Sequence, residues 1–518
     1  MTNTLEKKLE LTDDALDENR PNRLCVSLSD IHLTDGTVGI QNLRQETWNA
    51  FYACLAERCR RYDIREMTFV LDGDVVDMIR TDKWAKNNVY PWQRDSNEFS
   101  RIVNEIIKDI VEDIHKDFFK WLRELPQNLR KHTQVEKVNI VILLGNHDKE
   151  LFCDQKALTY FYEVGLGQKL DSITDEQRRE IGRMYGDEMM FTDIKTAPYF
   201  PFYFGDRGFR FFTTHGQWRD KDNSRKINAT SGLPAWSAAD GWQNEVWQKQ
   251  KFSPFLQPCF GDTVAAGILS TFIYKTKKAL AQHDYHDDRL MSILDELDLY
   301  RPTYKALTRL LDETRSMRNK KYDTKVIDII EGTLYGCVID WLSWDFTYES
   351  SPWLRRIGLR LTKIILKILK FFNVGLEIKA IAWLMKFMGT VLRLNPFAKP
   401  GPGFKEMTKF PAFLPEYQHY GFQIHGEGHT HRPLEEELNI KRDNPSTYVN
   451  FGTWRDQIVS RKKYGYRRRS ILREFYILDL KDTTNGGGRS FDYFTNDILA
   501  WSDKSDTFSR KGKHQPHI

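Results

Sequence analysis

The chain has 518 residues, with 77 Lys and Arg against 72 Asp and Glu and a formal net charge of +5. That length exceeds what one core needs, so two domains or a core carrying large insertions are expected, and so slight a positive excess does not argue for a nucleic-acid partner. Six cysteines, at 25, 54, 59, 153, 259 and 337, are dispersed through apolar contexts, which fits reduced thiols in a cytoplasmic protein better than a disulfide framework.

Residues 1–22 are polar and carry both charges without the apolar segment of a secretory signal, so a disordered arm is expected there. Leu24–Ser29 then reads as a buried strand leading into Asp30-x-His32, and Met67–Leu71 as a second leading into Gly73-Asp74-x-x-Asp77. Val138–Leu144 is a third, followed by Gly145-Asn146-His147-Asp148. Between these runs, Gln41–Arg61 and Asn97–Arg130 space their apolar residues as helices do. Strand, helix, strand, helix, strand indicates an α/β sheet, whose ligands gather beyond the carboxyl ends of the strands. Each motif falls at such an end.

Phe209–Thr214 reads as a strand ending at His215-Gly216, paired with Tyr199–Phe204 through the Asp206-Arg207-Gly208 turn. Gly421–Ile424 precedes Gly428-His429-Thr430-His431, with His425 assigned to the end of that strand. Thr447–Phe451, Arg473–Leu480 and Ser490–Phe494 continue as strands, and the glycines at 486–488 read as a connection, since no helix follows them. From about residue 502 the chain is a polar tail.

Five short motifs in this order supply carboxylates, an amide and imidazoles, a donor set suited to manganese, iron or zinc. On these motifs the chain resembles the calcineurin-like metallophosphoesterase superfamily, over roughly 23–225 and 410–494. The resemblance implies a four-layer αββα sandwich, here with a large, mainly helical insertion as a cap. Its implied organisation is a core of 23–225 and 410–501, interrupted by 226–409 and followed by a tail over 502–518. By motif, Asp30, His32, Asp74 and His431 would hold one divalent ion, and Asp74, Asn146, His215 and His429 a second, with Asp74 bridging. Manganese is the first expectation for both ions, iron or zinc the alternatives. Two ions about 3.5–4 Å apart lower the pKa of a bridging water and neutralise charge on the phosphoryl oxygens. The family's remaining histidine, here His147, faces the leaving group, and Asp77 would orient it. His115, His132, His283, His286 and His419 read as structural or solvated.

Both His215 and His429 would meet one ion, yet a long stretch separates them, so the chain leaves the core and returns. The aromatics Trp236, Trp242, Trp247, Phe252, Phe255 and Phe260 read first as the core of the cap and second as a pocket lining. Tyr304–Phe346 reads as helices. Trp353–Leu394 carries nine basic residues against one acid, Glu377, and Arg356, Arg360, Lys363, Lys367 and Lys370 fall on one helical stripe beside Ile, Leu and Phe. No uncharged run approaches the ~18 residues of a membrane span. Two readings stand level: a basic amphipathic helix at an anionic membrane surface, which would make the protein peripheral, or a helical pair packed on the cap or at a dimer interface. A second basic cluster, Arg461–Arg469, reads as a phosphate or headgroup grip or as a solvated loop.

The expected activity is metal-dependent hydrolysis of a small or lipid-linked phosphoester or pyrophosphate. Gly428–Pro433 is similar to UDP-diacylglucosamine pyrophosphate hydrolases, although those commonly place Arg where His147 stands and have smaller insertions. The Ser/Thr protein phosphatase pattern is absent, because Arg-Gly does not follow Asp77 and Asp148 stands in place of Glu. The alternatives are a nuclease or nucleotide phosphodiesterase, which the modest charge disfavours, and a membrane-associated scaffold with a vestigial metal site, which the intact ligands disfavour.

Overall fold

A computed structural model describes residues 19–168, 204–224, 256–371 and 422–499, apart from short breaks inside the last three of these ranges and at 40–42. The chain opens with β1 (Arg23–Leu28), α1 (Gln45–Arg61), β2 (Glu66–Leu71), α2 (Asn97–Lys108), α3 (Lys116–His132) and β3 (Lys137–Ile142). The hairpin of β4 (Phe204–Asp206) and β5 (Phe211–Thr213) follows. Described parts of the insertion include α4 (Thr271–Gln282), β6 (Tyr300–Arg301), α5 (Thr324–Trp341) and α6 (Trp353–Phe371). The chain returns through β7 (Ile424–Glu427), β8 (Leu434–Lys441), β9 (Asn444–Asn450), β10 (Gln457–Arg461), β11 (Gly465–Arg469), β12 (Ile471–Lys481) and β13 (Arg489–Leu499).

These elements make a mixed α/β structure. One five-stranded sheet runs β13-β12-β1-β2-β3 and another β4-β5-β7-β9-β8. In the first, β1, β2 and β3 are parallel and the late strands β12 and β13 add antiparallel to β1. In the second, β5, β7 and β9 are parallel. Strand alternation sorts the side chains: Leu24, Val26 and Leu28 pack with Trp48, Phe51 and Phe119 of the helices, whereas Cys25 turns the other way. On that other side it joins Val70, Phe475, Phe211, Ile424 and Val449, a cluster drawn from both sheets.

The insertion has its own core, built from α4, α5 and α6 with Phe260, Leu299 and Tyr300, to which the returning chain adds Ile458 and Tyr466. A three-stranded sheet, β11-β10-β6, joins the two regions, since β6 belongs to the insertion and pairs parallel with β10 at Tyr300–Ile458. Buried ion pairs reinforce the joint: Lys149 with Asp262 at 2.7 Å, Arg468 with Glu296 at 2.6 Å, and Arg455 with Asp298.

Several expectations shift. The β4–β5 turn occupies 207–210 instead of 206–208, and the strand before the last motif is Ile424–Glu427, so His425 is interior to it. There its buried ring stacks on Phe212 and Tyr448. The helix expected over Asn97–Arg130 is broken by a wide turn at Asp109–Ile114. The basic cluster at 461–469 is no solvated loop in its described part: Gly465–Arg469 is a strand, and Arg468 is buried between Asp456 and Glu296. At the described end of the expected arm, Arg20 pairs with Asp479 at 2.6 Å. Residues 1–18, the tail, the aromatics at 236–255 and the stretch 372–394 lie outside the described residues.

Candidate metal centre

Six of the seven expected ligands and both expected accessory residues come together, and the seventh, Asn146, is buried in the same loop as His147. Asp30 and His32 follow β1, Asp74 follows β2, and Asn146 and His147 follow β3, while the second sheet delivers His215 after β5 and His429 and His431 after β7. Hydrogen bonds between the loops fix their mutual positions: His32 N donates to Asp74 O (2.8 Å), Met78 N to His147 O (2.9 Å) and Gly428 N to His215 O (3.1 Å). Asp30, His32, Asp74, His429 and His431 all have left-handed backbone, with φ from 51° to 63°. Non-glycine residues adopt it at a cost of about 1–3 kcal/mol each, and such strain concentrates at functional sites. Close approach demands glycine at 145, where a Cβ would stand 2.1 Å from Asp74 Oδ1.

The His and Asp atoms converge as three groups: Asp30, His32 and His431 in one, Asp74, His215 and His429 in a second, and His32 with the expected accessory residues Asp77 and His147 in a third. In the first, Nε2 of His32 lies 3.0 Å from Nε2 of His431, and His431 Nε2 lies 3.0 Å from Asp30 Oδ1. In the second, His215 Nε2 lies 3.3 Å from Asp74 Oδ2. That same oxygen is 3.6 Å from His32 Nε2, so it stands between the groups. Asp30 Oδ1, Asp74 Oδ2, Asn146 Oδ1 and His215 Nε2 are buried without a well-formed hydrogen bond, although Asp30 Oδ1 faces His431 Nε2 at 3.0 Å and Asp74 Oδ2 faces His215 Nε2 at 3.3 Å. Each such orphan costs about 1–3 kcal/mol. Three of them, Asp30 Oδ1, Asp74 Oδ2 and His215 Nε2, belong to the adjoining clusters of O and N donors, a set that suits a cation. These His and Asp clusters could hold metal.

The neighbouring groups orient the ligands. Asp30 Oδ2 accepts from Ser29 Oγ (2.5 Å) and from His429 N (2.8 Å), which leaves Oδ1 for the centre. His215 Nδ1 donates to Asp72 O at 2.6 Å, which turns its Nε2 inward. Asp77 receives two rings, His32 Nδ1 at Oδ2 (3.1 Å) and His147 Nδ1 at Oδ1 (2.9 Å). His147 is thus held beside the clusters by Asp77, with its N–H donating to Asp74 Oδ1 at 2.8 Å.

Burial pushes the Asp30 and Asp74 carboxyls up, but the imidazoles of His431 and His215 for Asp30, and of His215 and His147 for Asp74, hold both far below the usual range. Asp77 is likewise held low against burial by His147 and Arg80. Burial lowers the His147 imidazole, and Asp77 and Asp74 oppose that only in part. Burial also brings His431 down to about 3, against the pull of Asp30. His215 runs the other way: burial lowers its imidazole, but Asp74 and Asp30 hold it well above the usual value, so a metal there would have to displace its proton.

Four further residues belong to the site. Asp220 Oδ2 accepts from His429 Nε2 at 3.2 Å. Arg80 donates to Asp77 at 2.9 Å, and Arg301, from the insertion strand β6, reaches within 3.5 Å of His431 Nδ1. Asp298 is the carboxylate among these arginines, 4.0 Å from Arg80 and paired with Arg455. Burial and the nearby Arg80 charge push the Arg301 guanidinium down to about 9. Arg80 lies three residues past Asp77 and could have been found from the second motif, but nothing in the sequence marks Asp220, Asp298 or Arg301.

No family model matches the chain, and no curated protein and no solved structure matches it. Among the described residues, no helix is long and apolar enough to cross a membrane.

Proposed function

We propose that the chain is a metal-dependent phosphoesterase of the calcineurin-like kind, hydrolysing a small or lipid-linked phosphoester or pyrophosphate. In this reading the two sheets and their helices form an αββα sandwich with 226–409 as its cap. One observation carries it: His and Asp ligand atoms from four separated motifs gather in adjoining clusters, with Asp74 Oδ2 3.3 Å from His215 Nε2 and 3.6 Å from His32 Nε2.

Asp30, His32, Asp74 and His431 would hold one divalent cation, and Asp74, Asn146, His215 and His429 the other. Bound there, the pair would supply a nucleophilic hydroxide at neutral pH and neutralise charge on the phosphoryl group. The chain's own residues do the rest. His147 donates through Nδ1 to Asp77, so its Nε2 is the ring atom left to face a leaving group. Asp77 fixes that orientation and favours the imidazolium when charge develops nearby. The Arg80 and Arg301 guanidiniums at the edge of the site suit the oxygens of a phosphate or pyrophosphate.

The test is metal content by mass spectrometry, together with turnover of p-nitrophenyl monoester and diester with added manganese. Stoichiometric metal and turnover, both lost in Asp74→Ala, are expected. Turnover that survives Asp74→Ala, or a purified protein that takes up no divalent metal, overturns the proposal.

A further inference from the structure

Helix α6 is assembled back to front for a helix packed on a protein core. Three rows run along it, each spaced by four, three and four residues. Arg355, Leu359, Thr362 and Leu366 form the buried row, which contributes only two large aliphatic side chains to the core of the insertion. One position on, Arg356, Arg360, Lys363 and Lys367 form a basic row. Two positions on, and facing away from the core, run Ile357, Leu361, Ile364 and Ile368. Leu361, Ile364 and Ile368 are 55, 53 and 49% exposed, and Trp353, Leu354 and Ile365 flank them, also exposed. Of the nine large hydrophobic side chains that stand exposed among the described residues, all but Ile114 and Val164 are on this helix.

Isolated exposed aliphatics are ordinary, but a continuous row is an interaction surface. We propose that the outer face of α6 seats the protein on an anionic lipid surface, its aliphatic row entering the headgroup–acyl boundary and its basic row lying against lipid phosphates. Charge selects this occupant. Among the described residues neither Lys363 nor Lys367 has an ion-pair or hydrogen-bond partner. The following stretch, 372–394, adds Lys379, Lys386 and Arg393 against Glu377 alone, so it matches the row in sign instead of complementing it. A second copy of the chain would set two such basic rows side by side. The helix is firmly mounted: Arg355 bonds Asp222 at 2.6 Å and covers the Phe260 ring at 4.4 Å. Asp222 N in turn donates to Asp220, the carboxylate on His429.

The experiment is co-sedimentation of the full chain with vesicles of phosphatidylcholine alone and of phosphatidylcholine with phosphatidylglycerol in equal parts. Binding to the second and not the first, weakening with salt, is expected. Lys363→Glu with Lys367→Glu should weaken it at least ~10-fold. Leu361→Ser with Ile364→Ser and Ile368→Ser should do the same. Lys363 is half-buried and the other side chains are exposed, and retention of wild-type circular dichroism and metal content verifies that the variants are folded. No binding by the wild-type chain, equal binding to both vesicle types, or binding unchanged in either variant overturns the proposal. A dimer that dissociates in the serine variant also overturns it, because the face would then be a self-interface. The result stands apart from the phosphoesterase reading, whose readouts are metal and turnover.

Discussion

At the ends of β1, β2 and β5 the chain buries carboxylates and imidazoles whose inward atoms lack well-formed hydrogen bonds, whereas along α6 it sets isoleucines and leucines in water. Polar atoms are hidden in one place and apolar atoms are displayed in the other. Each arrangement is costly for the chain alone and becomes favourable with a partner of matching chemistry, a hard or borderline cation in the first case and an amphiphilic sheet in the second. The two regions also differ in rigidity of design. Loop-to-loop hydrogen bonds and left-handed residues over-determine the site, while a single buried row mounts α6.

That comparison can be broken at several points. The largest effect is expected from Asp74→Ala, which removes the oxygen that stands between His32 and His215: on the proposed function, turnover should fall below detection and metal content should collapse, read by steady-state assay and mass spectrometry. His147→Ala should lower kcat by about 10²–10⁴-fold with metal content unchanged. If the variant loses metal as well, His147 is a ligand and not a group facing the leaving oxygen. Asp298→Ala leaves Arg80, Arg301 and Arg455 buried together without their shared carboxylate, and should destabilise the protein by about 3–5 kcal/mol in chemical denaturation. Smaller still is the effect of pH through His115. Burial brings its imidazole down to about 4, while its ring N–H donates to Thr34 O. A depressed value means that the neutral ring's contribution is full above the unfolded value, near 6.5, and is lost as pH falls through about 4. His115→Gln should flatten the stability profile across that window. On the other side of the comparison, Lys363→Glu with Lys367→Glu should leave turnover of a soluble ester unchanged and folding stability within about 0.5 kcal/mol, since Lys367 is exposed, Lys363 only half-buried, and neither has an ion-pair partner among the described residues.

The positions of Asp30, Asp74 and Asn146 were legible because each follows a short apolar run, and such runs become central strands whose ends are fixed by local chemistry. His215, His429 and His431 were legible for the same reason on the second sheet, although the register of their strands was off by two or three residues. What escaped was set by meetings between distant segments. Arg301 lies in a two-residue strand that exists only because β10 runs beside it, and two residues carry no periodicity. Asp220 looks like any turn aspartate until His429 arrives. The basic run at 461–469 looked like a surface cluster because its partners, Asp456 and Glu296, include one from the insertion. On α6 the stripe was visible in sequence, but which side it would turn to the core was not.

The three-stranded joint of β11, β10 and β6 sets a limit on how this molecule can be cut. Excising the insertion to obtain a minimal core would strip Asp262 from Lys149 and Asp298 from Arg455, stranding two cations in the interior, would leave Arg468 with Asp456 alone, and would bare the edge of β10 at Ile458 and Val459. A truncated version should therefore precipitate instead of folding as a smaller protein, and shortening this chain calls for repairing those positions before any residue is removed.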